Sequence, residues 1–133
     1  MKKLAKLLRV LSDEGRLRIL ALLSKRELCV CQLMAVLGVA QPLVSRNLTI
    51  LRDAGFLASR RDGKLVFYSL NKKLKGQHAV LLALIMDSLS RDKTHKSDVR
   101  AITECTELQK LTGKCDMKTF LRMFQERRRR KDG

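Results

Sequence analysis

The chain has 133 residues, enough for one domain with a modest core and an extension. Its 29 Lys and Arg against 13 Asp and Glu give a formal net charge of +16, which favours a polyanionic partner. With no Trp, one Tyr and four Phe, binding of single strands by aromatic stacking has little support. The start Met1-Lys2-Lys3 leads into an amphipathic segment and not into the apolar region of a signal peptide. The longest apolar run, 79–86, is too short to span a bilayer. A cytoplasmic chain with no membrane partner is therefore expected, in which four cysteines serve metal or redox chemistry and not a disulfide framework.

Residues 2–11 place Leu4, Leu7, Leu8 and Leu11 opposite Lys and Arg, the pattern of a short amphipathic helix. Ser12-Asp13-Glu14-Gly15 breaks it and offers groups that suit a new helix N-terminus. A second helix is expected from about 15 to 24, with Leu17, Leu20, Ala21 and Leu23 in the core and Ile19 and Leu22 on its flanks. A third is expected over 27–37, facing the core with Val30, Leu33 and Leu37, and Gly38 closes it.

Residues 39–51 organise the rest. Leu43, Val44, Leu48 and Leu51 recur at helical spacing and predict a buried face. Gln41, Ser45, Arg46, Asn47 and Thr49 form a front of hydrogen-bonding groups suited to base edges and phosphates. Pro42 fits the first turn, and Gly55 fits the position just past the end. A short helix, a Gly-containing turn and a polar-fronted second helix read as a helix-turn-helix.

Residues 56–61 and 64–70 flank Asp62-Gly63, a preferred hairpin turn. Arg60, Arg61 and Lys64 lie at its tip, either as a wing against backbone phosphates or as a charged edge that blocks aggregation. The recognition helix directly before it favours the wing. A further helix is expected over 73–91. Its run 79–86 is apolar on every face, more than one small core covers. A second copy of the chain would cover it, with the first helix joining the contact, and would present two recognition helices to a palindromic site. The alternative cover is the C-terminal extension.

The polar stretch 91–96 reads as a linker between a DNA-binding and dimerisation domain, 1–91, and a helical extension, 92–133. Ser97 would cap a helix carrying Val99, Ile102, Leu108 and Leu111 and ended by Gly113. Asp116 would cap another with Met117, Phe120, Leu121 and Phe124, and 127–131 is a basic arm. The expected fold is mainly α with a small β-hairpin, a winged helix-turn-helix working as a homodimer.

The stretch Glu27-Leu28-Cys29-Val30-Cys31-Gln32-Leu33 carries the candidate chemistry. Residues two apart on a regular helix point roughly 200° apart, so one soft ion could bind both sulfurs only if this turn unwound or tilted. Soft thiolates select As(III), Sb(III), Cd, Zn or Cu(I). The alternative is a pair of small buried hydrophobes, but the placement against the recognition helix favours a switch. Cys105 falls in an apolar stripe with Ile102 and Leu108, whereas Cys115 lies in a polar turn where a reactive thiol is more plausible. No phosphate cradle beside a cysteine, nucleophile elbow or acid–base pair is legible, which argues against an enzyme.

In order and spacing, residues 11–23, Glu27 to Leu33, Gln41 to Leu57, Arg61 to Lys64 and Tyr68-x-Leu70 resemble the ArsR/SmtB family of bacterial winged-helix repressors, over about residues 4–90. Glu-Leu-Cys-Val-Cys is similar to its arsenite-sensing branch. The resemblance implies a dimeric repressor of an arsenic-resistance operon, bound to double-stranded operator DNA and released when trivalent arsenic meets thiolates. It implies Cys29 and Cys31 as inducer ligands, and Gln41, Ser45 and Arg46 as readers, with Asn47 standing where many members have His. The branch has a third cysteine where this chain has Met34. Three options follow: two thiolates suffice with a hydroxide or other exogenous ligand third, the inducer is methylarsenite, or Cys105 or Cys115 supplies the third sulfur. The competing readings are a repressor of the same fold switched by thiol oxidation or persulfide, an arsenate reductase, and a protein-binding adaptor.

Overall fold

The computed structural model describes residues 1–112 and 129, with side chains through Cys105 and at 129. Helix α1 (Lys2–Leu11) buries Leu7, Val10 and Leu11 and leaves Leu4 and Leu8 exposed. Helix α2 (Glu14–Leu23) starts where the Asp13 carboxylate accepts the backbone N–H of Arg16 at 3.0 Å. It buries Ile19, Leu20, Ala21, Leu22 and Leu23 in succession. Ile19 and Leu22 are therefore core residues and not flanks, because α1, α4, α5 and α6 together surround this helix. Each such side chain contributes on the order of 1.5–3 kcal/mol by leaving water.

The third segment departs from the sequence expectation. Leu28–Cys29 is a short strand, β1, and helix α3 begins only at Val30 and runs Val30–Leu37. Leu28 pairs with Tyr68 and Cys29 with Phe67, so a distant strand takes the backbone groups that a longer helix would have used. Helix α3 ends at Gly38, which sits at φ +66°.

Helix α4 (Gln41–Asp53) follows at a bend of 115°, within the range of a helix-turn-helix. Ala40 is its N-cap and Pro42 lies in its first turn. Val44, Leu48 and Leu51 are buried as expected, whereas Leu43 is half-exposed beside the polar front. After Ala54 the chain turns at Gly55, φ +93°, where an added Cβ would lie 3.2 Å from Nε2 of His78. That histidine also makes a 2.7 Å hydrogen bond with the Ala54 carbonyl and packs on Phe56.

Strands β2 (Leu57–Asp62) and β3 (Leu65–Leu70) pair antiparallel, and the sheet order is β1-β3-β2. The register places Asp62 opposite Leu65, so the two-residue turn is Gly63-Lys64 and not Asp62-Gly63. Gly63 takes the positive φ, +62°, that the first position of this turn requires.

Helix α5 (Gln77–Leu89) starts later than expected, after Gly76 at φ +61°. Leu81 and Ile85 pack on the core, while Val80 and Leu84 stay 69% and 61% exposed. Helix α6 (Lys93–Thr112) starts earlier than expected. The Asp92 carboxylate accepts from the backbone N–H groups of Thr94 and His95 at 2.8 and 3.2 Å, so Asp92 and not Ser97 starts the helix. The linker shrinks to a turn, and α6 lies on α2 and α3 with Ala101 and Ile102 in the main core. The Asp98 carboxylate, 1% exposed, accepts from Arg18 of α2 at 2.9 Å through both oxygens. Asp116, the helix expected after it and the basic arm lie outside the described residues, apart from Arg129. No single helix among the described residues is long and apolar enough to cross a membrane.

Candidate nucleic-acid interface and thiol switch

The polar front of α4 divides into exposed and buried groups. Gln41, Arg46 and Thr49 are exposed, and Ser45 is half-buried at the edge of the same face. Asn47 does not belong with them. It is 6% exposed, and its Oδ1 accepts from Nη1 of Arg16 at 3.2 Å. A buried amide needs such a partner, and here it joins α4 to α2 where a reader would have faced outward.

The wing divides likewise. Arg61 and Lys64 are exposed and stand at or beside the turn. Arg60 is exposed as well, but its guanidinium has partners within the chain. Its guanidinium donates to the Glu27 carboxylate at 2.6 Å from Nη2 and 2.9 Å from Nε, and lies 4.7 Å from the centre of the Phe67 ring. The hydrogen bond to Glu27 holds this arginine still more firmly in its charged form. Glu27 immediately precedes β1, so the pair clasps the middle of the wing to the segment that leads into the cysteines. The sequence carries no local signal of this clasp, because it exists only once β1 pairs with β3 and β3 with β2.

Cys29 ends β1 and is at the same time the N-cap of α3, with extended backbone at φ −92° and ψ 169°. Its N–H donates to the Gln32 side chain at 3.0 Å, and its sulfur faces the Gln32 N–H, a capping box with Cys in place of Ser or Thr. The spacing Cys-x-x-Gln was the available sequence signal for it. Because Cys29 is not helical, the 200° separation of a regular helix does not apply. The two sulfurs interact: burial, then the charge and hydrogen bonding of Cys29, push the Cys31 thiol up from its ordinary range. Cys29 is buried and Cys31 half-buried, and neither is in a disulfide. The two cysteines thus stand on either side of a strand-to-helix junction and not within one regular helical turn. Two adjacent soft sulfurs are a donor set that fits a thiophilic metalloid.

Cys105 is fully buried on α6 against Ala35 of α3, and Cys31 packs on the same pair. Cys115 lies outside the described residues. Among the described residues, no three His, Cys, Asp or Glu side chains already stand in a metal-holding arrangement. His95 packs with Glu14, Arg18 and Asp92 around a cavity of about 260 Å³ between α2, α5 and α6, apart from the thiols.

A family model described as bacterial regulatory protein, arsR family, matches residues 13–59, from the cap of α2 into β2. The arsenical resistance operon repressor of Staphylococcus aureus is 38% identical over 86 residues, covering 65% of this chain and 77% of that protein. The chain belongs to the arsR family. Its arsR-family relative in Escherichia coli (strain K12), also an arsenical resistance operon repressor, is 43% identical over 77 residues, 57% of this chain. The match spans 66% of the length of that relative. Among solved structures, HlyU from Vibrio cholerae N16961 superposes with a TM-score of 0.59 at 29% identity, over 68% of this chain and 95% of its own. The residues matched by the family model, 13–59, include all of α4 and the Cys29–Cys31 turn.

Proposed function

We propose that this arsR-family chain is a dimeric transcriptional repressor of an arsenic-resistance operon, which leaves its DNA when Cys29 and Cys31 bind a trivalent arsenical. The observation that carries the reading is the placement of two thiols at the junction of β1 and α3, Cys29 as the end of the strand and cap of the helix and Cys31 in the helix's first turn. Gln41, Ser45, Arg46 and Thr49 are the readers on α4, and Arg61 and Lys64 supply phosphate contacts from the wing. The net charge of +16 supports a duplex DNA partner. The exposed Val80 and Leu84 of α5, with Leu4 and Leu8 of α1, are the apolar surface for a second copy.

Trivalent arsenic, arsenite or methylarsenite, supplies a soft acceptor for sulfur when bound, and Sb(III) shares that chemistry. The chain does the rest. Cys29 is held by two neighbours, its β3 partner Phe67 and its cap partner Gln32. Drawing the Cys29 and Cys31 sulfurs together alters that cap. The strain passes to the wing through β3 and Glu27–Arg60, and to the recognition helix through α3, which packs on α4. Both DNA-facing elements are therefore linked to one turn.

The test is fluorescence anisotropy of operator fragments with wild type, Cys29→Ser and Cys31→Ser, titrated with arsenite and methylarsenite. Release of wild type and retention of both variants is the expected result. A wild type that stays on DNA with either arsenical but leaves after mild oxidation, with a mass change at the cysteines, would transfer the switch to thiol redox chemistry.

A further inference from the structure

The register of α6 is set by a strong constraint. Asp98, bonded to Arg18 through both carboxylate oxygens, holds the helix against α2. Asp98, Ile102 and Cys105 follow at i, i+4 and i+7, one face of a helix, and all three are buried. That face brings the Cys105 thiol onto Ala35, one turn beyond Cys31 on α3. Ala35 has only a methyl group there, so α6 approaches closely and Cys31 packs on the same contact. The α3 position one turn from Cys31 toward the other side is Met34, a half-buried thioether with no proton to exchange.

We infer that Cys105 is the third sulfur for arsenite held by Cys29 and Cys31, which makes α6 a moving part of the sensor. The inference rests on the proposed arsenical response at Cys29 and Cys31. Arsenous acid has three exchangeable hydroxides. Each thiol that bonds to arsenic displaces one hydroxide and gives it a proton, so three As–S bonds form and three waters leave, with no change in oxidation state. Methylarsenite has two such hydroxides and is satisfied by Cys29 and Cys31 alone. Because the three thiols do not yet stand in a metal-holding arrangement, arsenite draws Cys105 toward Cys29 and Cys31, whereas methylarsenite leaves α6 in place.

The deciding experiment is X-ray absorption of arsenite bound one to one to Met34→Leu/Cys115→Ser, a protein that retains only three of the four cysteines. Three sulfurs about each arsenic are expected, and Cys105 must then be among them. Two sulfurs would overturn the inference. Cys105→Ala should lower arsenite affinity about 100-fold, the order of gain lost when an extra tethered contact is removed, and leave methylarsenite affinity within about twofold. That methylarsenite binding also reports that the variant is folded. Equal arsenite affinity in Cys105→Ala and wild type overturns the inference while leaving the Cys29–Cys31 switch standing. Undiminished binding of both arsenicals to Cys29→Ser and Cys31→Ser would instead sink the switch itself.

Discussion

Arg16 and Asn47 form a polar link inside the helix-turn-helix: Nη1 of Arg16 donates to Oδ1 of Asn47 at 3.2 Å, across the interface of α2 and α4. The same guanidinium donates to the carbonyls of Val10 and Arg9 at the end of α1. One arginine therefore ties three helices together, and the recognition helix is held by a residue outside it. Asn47→Ala leaves a partly buried cation short of an acceptor and should lower unfolding stability by about 1–2 kcal/mol in a urea melt.

Arg46 adjoins Asn47 in sequence but faces the other way, exposed. Arg46→Ala should leave the urea melt unchanged and weaken operator binding by roughly 1–3 kcal/mol. Unchanged affinity in a titration at fixed salt would remove it from the readers.

In the wing, Arg60, Arg61 and Lys64 are all exposed, but the Arg60 guanidinium is also engaged by Glu27 and Phe67. Arg61→Ala and Lys64→Ala should each reduce the slope of log affinity against log salt by about one. Arg60→Ala should change that slope less and disturb arsenical release more, because it opens the clasp beside β1. Equal slopes for all three variants would contradict this division.

Asp98 has its whole carboxylate occupied by Arg18, and it is buried. Asp98→Ala strands a shielded guanidinium and should cost about 3–5 kcal/mol, whereas Arg18→Met/Asp98→Leu should cost less than that single change. Denaturant melts of both variants decide it. If α6 were only an appended extension, the Asp98 variant would unfold at nearly the wild-type midpoint.

Val80 and Leu84 lie one turn apart on the exposed side of α5. Val80→Glu or Leu84→Glu should leave the folded monomer intact and shift sedimentation to monomer. Binding to a palindromic fragment should fall to the level of a half-site. A dimer that survives both changes would place the contact elsewhere.

Much of this molecule is decided locally. The helical spacing of Val44, Leu48 and Leu51, Pro42 in the first turn and Gly55 after the last are properties of neighbouring residues, so α4 was legible with no knowledge of the rest. The same is true of the hairpin, because Gly63 admits positive φ wherever it stands, although the turn moved by one residue once Asp62 paired with Leu65. What local pattern could not decide is which of two possible partners a group meets. Leu28 and Cys29 have backbone groups that a helix would satisfy equally well, and only Tyr68 and Phe67, far along the chain, draw them into a strand. That pairing removes Cys29 from the helix and brings its sulfur to Cys31. Asn47 looks like a reader until Arg16 arrives from α2, and Cys105 looks like one more core residue until Asp98 and Arg18 set the register of α6 over Ala35. Side-chain periodicity is read from the sequence because it depends on helix geometry alone. The partners of the polar and sulfur groups are fixed only when separate elements pack, since a hydrogen bond or a thiol contact depends on both of its ends.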